Sequence, residues 1–138
     1  MPLRYLLDTN ICIYIARHRP VEVLERFKRL RPGEAAISAI TYGELQYGAG
    51  KSRHSKAAHR ILEQLTALVP VLAVDAEVGE RYGEIRAKLE KSGTSIGNND
   101  LWIASHAAAI GVPLVTNNER EFRRVPGLKV ENWIRQSE

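Results

Sequence analysis

The chain is 138 residues long, with 44% hydrophobic and 26% charged residues. This size and composition predict one globular domain over residues 1–138, with a core that forms without a disulfide. The single cysteine, Cys12, excludes an internal disulfide and favours a reducing compartment. No signal peptide and no apolar run of ~18 residues is visible, so we expect a cytoplasmic protein outside the membrane.

The formal net charge is +4 at pH 7, and the isoelectric point is about 9.4. Lysines and arginines concentrate in two stretches, residues 17–31 and 51–60. A basic excess of this size favours a polyanionic partner such as nucleic acid, but only weakly. Solvated helix faces explain most of these charges equally well.

Short apolar runs typical of buried strands alternate with helical patterns along the chain. A strand over residues 3–7 precedes a helix that Asn10 could cap and Pro20 would end. The later predicted elements are helix 21–30, strand 35–40, a helix from Thr41 closed by Gly48 and Gly50, helix 55–68, strand 70–74, helix 76–91 capped by Asp75, helix 98–110, strand 112–116, helix 119–124 and a candidate strand 128–130. This alternation predicts an α/β domain whose mainly parallel sheet is covered by helices on both faces.

Acidic residues lie near the ends of several predicted strands. Asp8 follows the first strand, and Glu44 lies in the first turn of the helix after the second strand. Asp100 begins the helix that leads into the fourth strand, which Asn118 follows. In open α/β sheets, ligands bind outside the carboxyl ends of the strands. Because Mg²⁺ prefers oxygen ligands and keeps several waters, two or three carboxylates at this edge could bind it.

Each of these residues also has a purely structural interpretation. Asp8 could cap the following helix, and Glu44 fits a capping box that begins at Thr41. Asp100 could favour its helix N-terminus by charge, and Asn118 could be a turn residue. These interpretations do not explain why all the candidates fall at the same edge of the sheet.

The sequence also resembles PIN-domain toxins, the VapC partners of VapBC toxin–antitoxin modules. Their first motif is similar to LLDTNICIYI, and their second, which carries the glutamate, to ISAITYGELQYGAGKS. Their third and fourth motifs resemble IRAKLEKSGTSIGNNDLWIASHAAAIGVPLVTNN, and their usual ending resembles EFRRVPGLKVENW. The resemblance covers nearly the whole chain and implies a central five-stranded, mainly parallel sheet between helices.

The resemblance further implies a magnesium-dependent endoribonuclease, with Mn²⁺ as a substitute. Carried over by position, the metal-binding acids of the family fall on Asp8, Glu44 and Asp100. Asn118 fills the fourth acidic position, and this departure puts a direct carboxylate ligand there in doubt, although the amide could bind a water or a phosphate oxygen. Thr9 is a candidate supporting hydroxyl, as is Thr116.

One subgroup is especially similar, through DTNICIY, IGNND and VTNNEREFRRVPGL. Its VapC enzymes cut initiator tRNA in the anticodon stem-loop. The resemblance therefore implies the toxin of a type II toxin–antitoxin system, with RNA as substrate. It also implies a homodimer and a cognate VapB-type antitoxin whose extension enters the active site.

Two other functions remain as alternatives. A haloacid-dehalogenase-like phosphatase would use Asp8 as nucleophile and needs a second aspartate two residues later, where this chain has Asn10. A catalytically silent module could bind RNA or a partner protein, although the retained acids argue against it. Metal-dependent nuclease activity distinguishes all three.

Overall fold

The computed structural model describes residues 2–134, and the strands within that range form one parallel sheet. Their bounds are β1 Tyr5–Leu7, β2 Ala35–Ser38, β3 Val71–Leu72, β4 Leu114–Val115 and β5 Val130–Glu131. The five strands lie in the order β3-β2-β1-β4-β5, and each neighbouring pair is parallel. This confirms the predicted sheet. It also places β1 at the centre, so the residue after β1 lies in the middle of the carboxyl edge.

Helices cover both faces of this sheet, as predicted. Their bounds are α1 Thr9–Arg17, α2 Val21–Lys28, α3 Ala39–Lys51, α4 Ser55–Leu68, α5 Ala76–Lys91, α6 Asn98–Ile110 and α7 Glu119–Phe122. Leu6 and Leu7 are both fully buried but belong to different core clusters, because successive strand side chains point to opposite faces. The cluster around Leu6 contains residues of α5 and α6, and the cluster around Leu7 contains residues of α1, α2 and α4.

Two helices begin at residues other than those predicted. Asp8 caps α1 by accepting a hydrogen bond from the backbone N of Thr9, so the prediction of Asn10 as the cap is wrong. Helix α3 begins at Ala39, two residues before the predicted start, because the hydroxyl of Ser38 caps its first turn. Both helices therefore start directly at the carboxyl ends of strands, and their first turns lie at the same edge of the sheet.

Helix α3 also continues past the glycines that were predicted to close it, and ends at Lys51. Gly48 and Gly50 each cost about 1 kcal/mol relative to alanine in a helix. Packing along α4 and the burial of Ala49 offset that cost. Helix α3 is therefore continuous from Ala39 to Lys51.

The strands and two of the helices are shorter than predicted. The strands predicted over 70–74, 112–116 and 128–130 are observed as Val71–Leu72, Leu114–Val115 and Val130–Glu131, and the helices predicted over 21–30 and 119–124 end at Lys28 and Phe122. Apolar pattern reports burial rather than hydrogen-bonded pairing. It therefore overestimates strand length throughout the sheet, in the inner strand β4 as well as in the edge strands β3 and β5.

Two further predictions concern burial and length. Cys12 is fully buried in α1, and burial raises the pKa of its thiol above the ordinary range, as expected for a core residue. In the described part of the chain, no helix combines the length and apolarity that crossing a membrane requires.

Candidate active site

Asp8 lies at the centre of the carboxyl edge of the sheet, directly after β1, and is only 5% exposed. Its Oδ1 accepts a hydrogen bond from the backbone N of Thr9 at 2.8 Å, and its Oδ2 accepts one from Thr116 Oγ1 at 2.8 Å. Thr116 follows β4, so the bond joins two neighbouring strand ends. Asp8 is thus a helix cap, yet each carboxylate oxygen keeps a further lone pair for a ligand.

Glu44 lies in the second turn of α3, not in the predicted first turn. Its Oε1 accepts a hydrogen bond from Thr9 Oγ1 at 2.6 Å, and that hydroxyl is 3.5 Å from Thr41 Oγ1. The capping box is therefore not formed: Ser38 caps the helix, and Glu44 instead bonds to the residue that follows Asp8.

Asp100 lies in the first turn of α6, as predicted, and is half-buried. Burial is the main cause that raises its pKa to about 7, followed by the negative charges of Asp8, Glu121 and Glu44 and by a hydrogen bond with Glu121. Burial also raises the pKa of Asp8, with smaller contributions from Glu44 and Glu121, against the hydrogen bonds from Thr116 and Thr9. The charges of Glu44 and Glu121 thus act on both Asp8 and Asp100, and the four carboxylates form one cluster. Its members come from the end of β1 and from α3, α6 and α7.

Asn118 precedes α7 and is turned towards Glu121. Its Nδ2 donates to Glu121 Oε2 at 2.8 Å, and its backbone N donates to Thr116 Oγ1 at 3.0 Å. Asn118 thus positions another acid, whereas Asp8, Glu44 and Asp100 supply carboxylates themselves.

Glu121 is the site residue that the sequence analysis missed. Its Oε1 accepts a hydrogen bond from the backbone N of Gly97, the residue before α6, at 2.9 Å. This bond is the main reason that the pKa of Glu121 is lowered; Asn118, Asp100 and Arg124 lower it further against the effect of burial. The spacing gave a partial signal: Glu121 lies three residues after Asn118, the residue before the predicted helix 119–124, but the same helix also offers Glu119.

The donor set of the cluster fits a hard divalent cation. Among the described residues, no three His, Cys, Asp or Glu side chains are arranged to hold one metal ion together. Mg²⁺ does not need such a cage, because it is commonly held by one or two carboxylates while it keeps several waters. The negative charges of Asp8, Glu121 and Glu44 add to burial in raising the pKa of Asp100, and a cation placed among these carboxylates would be favoured by the same charges.

A groove of about 1040 Å³ opens beside the acids, between α1, α3 and α4. Thr9, Glu44 and Asn99 line it at the acidic site. Elsewhere its lining is largely apolar, with two basic residues; these residues include Ile13, Arg17, Leu45, Tyr47, Lys51, Ile61 and Leu62. Tyr47 is 69% exposed, so the groove presents an apolar surface to solvent.

Comparison with known proteins identifies the family of this chain. The model of the PIN domain family matches residues 5–128. The chain belongs to the PIN-domain family. It is 42% identical to ribonuclease VapC2 of Haemophilus influenzae over 96% of this chain and 99% of that protein. It is 43% identical to the tRNA(fMet)-specific endonuclease VapC of Shigella flexneri, covering 95% and 98%.

Solved structures of VapBC complexes show the same fold. The DNA-bound VapBC of Salmonella typhimurium superposes with a TM-score of 0.91 at 39% identity, over 96% of this chain and 100% of that chain. VapBC2 from Rickettsia felis, bound to a promoter DNA fragment, gives 0.89 at 41% identity, over 96% and 100%. The family resemblance and the PIN fold are thereby confirmed. A haloacid-dehalogenase-like phosphatase finds no support in them.

Proposed function

We propose that this PIN-domain protein is a metal-dependent endoribonuclease, the toxin of a type II toxin–antitoxin pair, and that it acts in the cytoplasm. The observation that carries the proposal is the cluster of Asp8, Glu44, Asp100 and Glu121 at the carboxyl edge of the sheet, with a pKa of about 7 for Asp100. The names of the VapC relatives support ribonuclease chemistry.

Each residue has a distinct role in this proposal. Asp8, Asp100 and Glu44 would hold Mg²⁺, one or two of them directly and the rest through waters that the ion keeps; Mn²⁺ can substitute. When bound, the ion lowers the pKa of a coordinated water and neutralises charge on the phosphate. Thr116 and the backbone of Thr9 fix Asp8, and the Thr9 hydroxyl fixes Glu44, so that neither carboxylate needs to reorganise.

The remaining polar contacts set the position of Asp100. Glu121 accepts a hydrogen bond from Asp100 when that carboxyl is protonated, and is itself held by Gly97 and Asn118. Loss of that proton leaves Asp100 as a second negative ligand beside Asp8. Asn118 therefore supports catalysis through Glu121.

Hydrolysis in this site predicts particular RNA ends. Water as the nucleophile leaves a 5′-phosphate and a 3′-hydroxyl, whereas attack by the RNA's own 2′-hydroxyl leaves a cyclic phosphate. Mapping the ends of RNA cut by the purified protein separates the two, and cyclic ends would refute hydrolysis. Excess chelator should abolish cleavage, and full activity in chelator would refute metal dependence.

We further propose the anticodon stem-loop of initiator tRNA as the substrate. Support comes from the Shigella relative, named a tRNA(fMet)-specific endonuclease, and from the exposed basic residues of the two basic stretches. Unstacked loop nucleotides can reach an open edge of the sheet, and Arg17 or Lys51 could contact phosphates of the flanking stem. Such contacts also predict that binding weakens as salt is raised.

The decisive assay is cleavage of purified initiator tRNA beside an elongator tRNA, with Asp8→Asn as the inactive control. Cleavage of initiator tRNA alone supports the substrate. If wild type and Asp8→Asn both bind RNA without cutting it, the chain is a silent binding module instead.

The partner proposal is a VapB-type antitoxin, supported by the VapBC complexes among the structural relatives. Its segment would lie in the groove between α1, α3 and α4, with apolar side chains near Leu45 and Ile61 and its end near Glu44. We also propose a homodimer with a two-fold, self-complementary interface. A monomeric mass by light scattering at micromolar concentration would refute the homodimer. If the antitoxin still fully inhibits the Leu45→Asp variant, the groove is not its binding site.

A further inference from the structure

A buried histidine joins the two helices that carry Glu44 and Asp100. His106 lies on α6 and is 1% exposed, and its Nδ1 is 2.8 Å from the hydroxyl oxygen of Ser38. Ser38 is fully buried at the end of β2 and caps α3. Neither residue belongs to the carboxylate cluster, yet their bond connects α6 to the first turn of α3.

The Ser38 hydroxyl has one proton and two acceptor lone pairs. One lone pair accepts a hydrogen bond from the backbone N of Ile40 at 3.2 Å. We assign the proton to His106, so that Ser38 donates to Nδ1 and the neutral imidazole carries its hydrogen on Nε2. Burial agrees with this assignment because it lowers the pKa of His106, an effect that the charge of Asp75 only partly opposes.

Apart from this bond, the side-chain contacts described above tie Glu44 and Asp100 to other helices rather than to each other. Glu44 is tied to α1 through Thr9, and Asp100 is tied to α7 through Glu121. The helices α3 and α6 themselves pack together, and His106 contributes a directional contact to that packing. A directional bond between buried groups fixes register in a way that apolar contact alone does not.

We propose that His106 is a positioning residue, which through Ser38 holds α3 against α6 and so sets the separation of Glu44 from Asp100. The inference rests on the proposed metal-dependent function, because the separation matters only if both acids serve one ion. His106 touches neither substrate nor metal in this role. Its removal should weaken metal binding and turnover together, while the protein stays folded.

The test compares variants of the full chain by the affinity for Mn²⁺ alone and by RNA cleavage. His106→Leu removes the acceptor, whereas His106→Asn keeps an acceptor oxygen close to the place of Nδ1. We expect His106→Leu to bind Mn²⁺ about tenfold more weakly, the lower end of the loss seen when groups that orient ligands are removed. His106→Asn should recover most of that affinity, and kcat should fall in parallel in His106→Leu.

Ser105→Ala is the matched control. Ser105 is the neighbouring residue on α6 and equally buried, but its hydroxyl donates to the backbone O of Leu101 within the same helix. The control should leave Mn²⁺ affinity unchanged. Ser38→Ala removes the bond from the other side, so it should match His106→Leu, and the double variant should lose no more than either single one.

The outcomes separate this inference from the proposed function. The role of His106 would be refuted if wild type and His106→Leu bind Mn²⁺ equally well, or if the losses of the two single variants add in the double variant. Neither result would contradict metal dependence. If wild type binds no Mn²⁺, the metal function falls, and the role of His106 falls with it. If His106→Leu fails to fold, Ser38→Ala provides the same comparison. Independently, the NMR spectrum of the wild-type imidazole should show the hydrogen of His106 on Nε2, and hydrogen on Nδ1 would overturn the assignment.

Discussion

Asp100→Asn should stabilise the metal-free protein while it abolishes RNA cleavage. In the absence of a cation, burial and the charges of three neighbouring carboxylates disfavour a negative Asp100. Asparagine resembles the protonated form, and its Nδ2 can donate to Glu121 in place of the carboxyl proton. The substitution therefore removes an unfavourable charge and keeps the hydrogen bond. A residue that served the fold alone would give the opposite sign, since its removal would cost stability.

The size of the effect follows from the pKa of Asp100. Its change from 3.8 to about 7 corresponds to ~4 kcal/mol at 1.36 kcal/mol for each tenfold change in acidity. Asp100 is only half-buried, so solvent screening reduces the expected gain to roughly 1–2 kcal/mol. Because the folded-state pKa is raised, the wild type loses this stability as pH rises from about 4 to 7. Below about pH 4, both states hold the proton, and the advantage of asparagine should vanish.

Urea unfolding with chelator present measures the prediction at pH 4 and pH 7.5, alongside a cleavage assay with Mg²⁺. Asp75→Asn is the control, because Asp75 caps α5 by accepting from the backbone N of Val78 and asparagine caps equally well. The control should change stability by less than ~0.5 kcal/mol at both pH values. If Asp100→Asn is less stable than wild type at pH 7.5, the charge of Asp100 does not destabilise the metal-free fold. If the variant still cleaves RNA, Asp100 is not needed for the reaction.

Three further predictions use the same assays. Glu44→Gln should lose cleavage without melting α3, because Ser38 rather than Glu44 caps that helix; wild-type cleavage by the variant would contradict a role in the site. Thr116→Val removes the hydroxyl that donates to buried Asp8 and accepts from the backbone N of Asn118. It should lower the free energy of unfolding by ~2 kcal/mol and the cleavage rate at least tenfold. Thr116→Ser keeps the hydroxyl and should stay near wild type in both measurements. Burial lowers the pKa of His106, so the unfolded chain takes up a proton below about pH 6.5 that the folded state does not. The stability of wild type relative to His106→Asn should therefore decrease as pH falls below 6.5 in chemical unfolding, and a constant difference would contradict it.

The fold was predictable from sequence where the apolar pattern agrees with the residues that cap or end helices. Helix α5 was predicted with its observed bounds, since Asp75 marks the cap and the apolar stripe continues to its last turn. Helix α6 was predicted equally well because Gly111, in a left-handed conformation, marks its end. The start of α3 was missed because Ser38 is both the last residue of a buried strand and a helix cap. A pattern of apolar residues cannot show where one role ends and the other begins.

The site was predictable only in part, for a related reason. Asp8 and Asp100 follow from the rule that ligands gather at the carboxyl ends of parallel strands. Glu121 was missed because EREF offers two glutamates on one short helix, and the sequence does not show which one turns inward. Glu119 forms an ion pair with Arg123 at 2.7 Å, while Glu121 reaches Gly97 on the other side of the site. The choice depends on how α7 is rotated against α6, which is a tertiary property.

Asp8 shows why capping and ligand binding are not alternatives in this fold. A helix that begins where a central strand ends leaves unpaired backbone N–H groups at the carboxyl edge of the sheet, and a carboxylate placed there satisfies one of them. Capping by Asp8 uses one lone pair of Oδ1, and Thr116 uses one of Oδ2, which leaves both oxygens able to accept further. The same bonds that make Asp8 a cap also hold it still and oppose the effect of burial on its pKa. The residue that caps α1 is therefore also an acid whose two carboxylate oxygens are both fixed by hydrogen bonds, which suits it to the role of metal ligand that we propose.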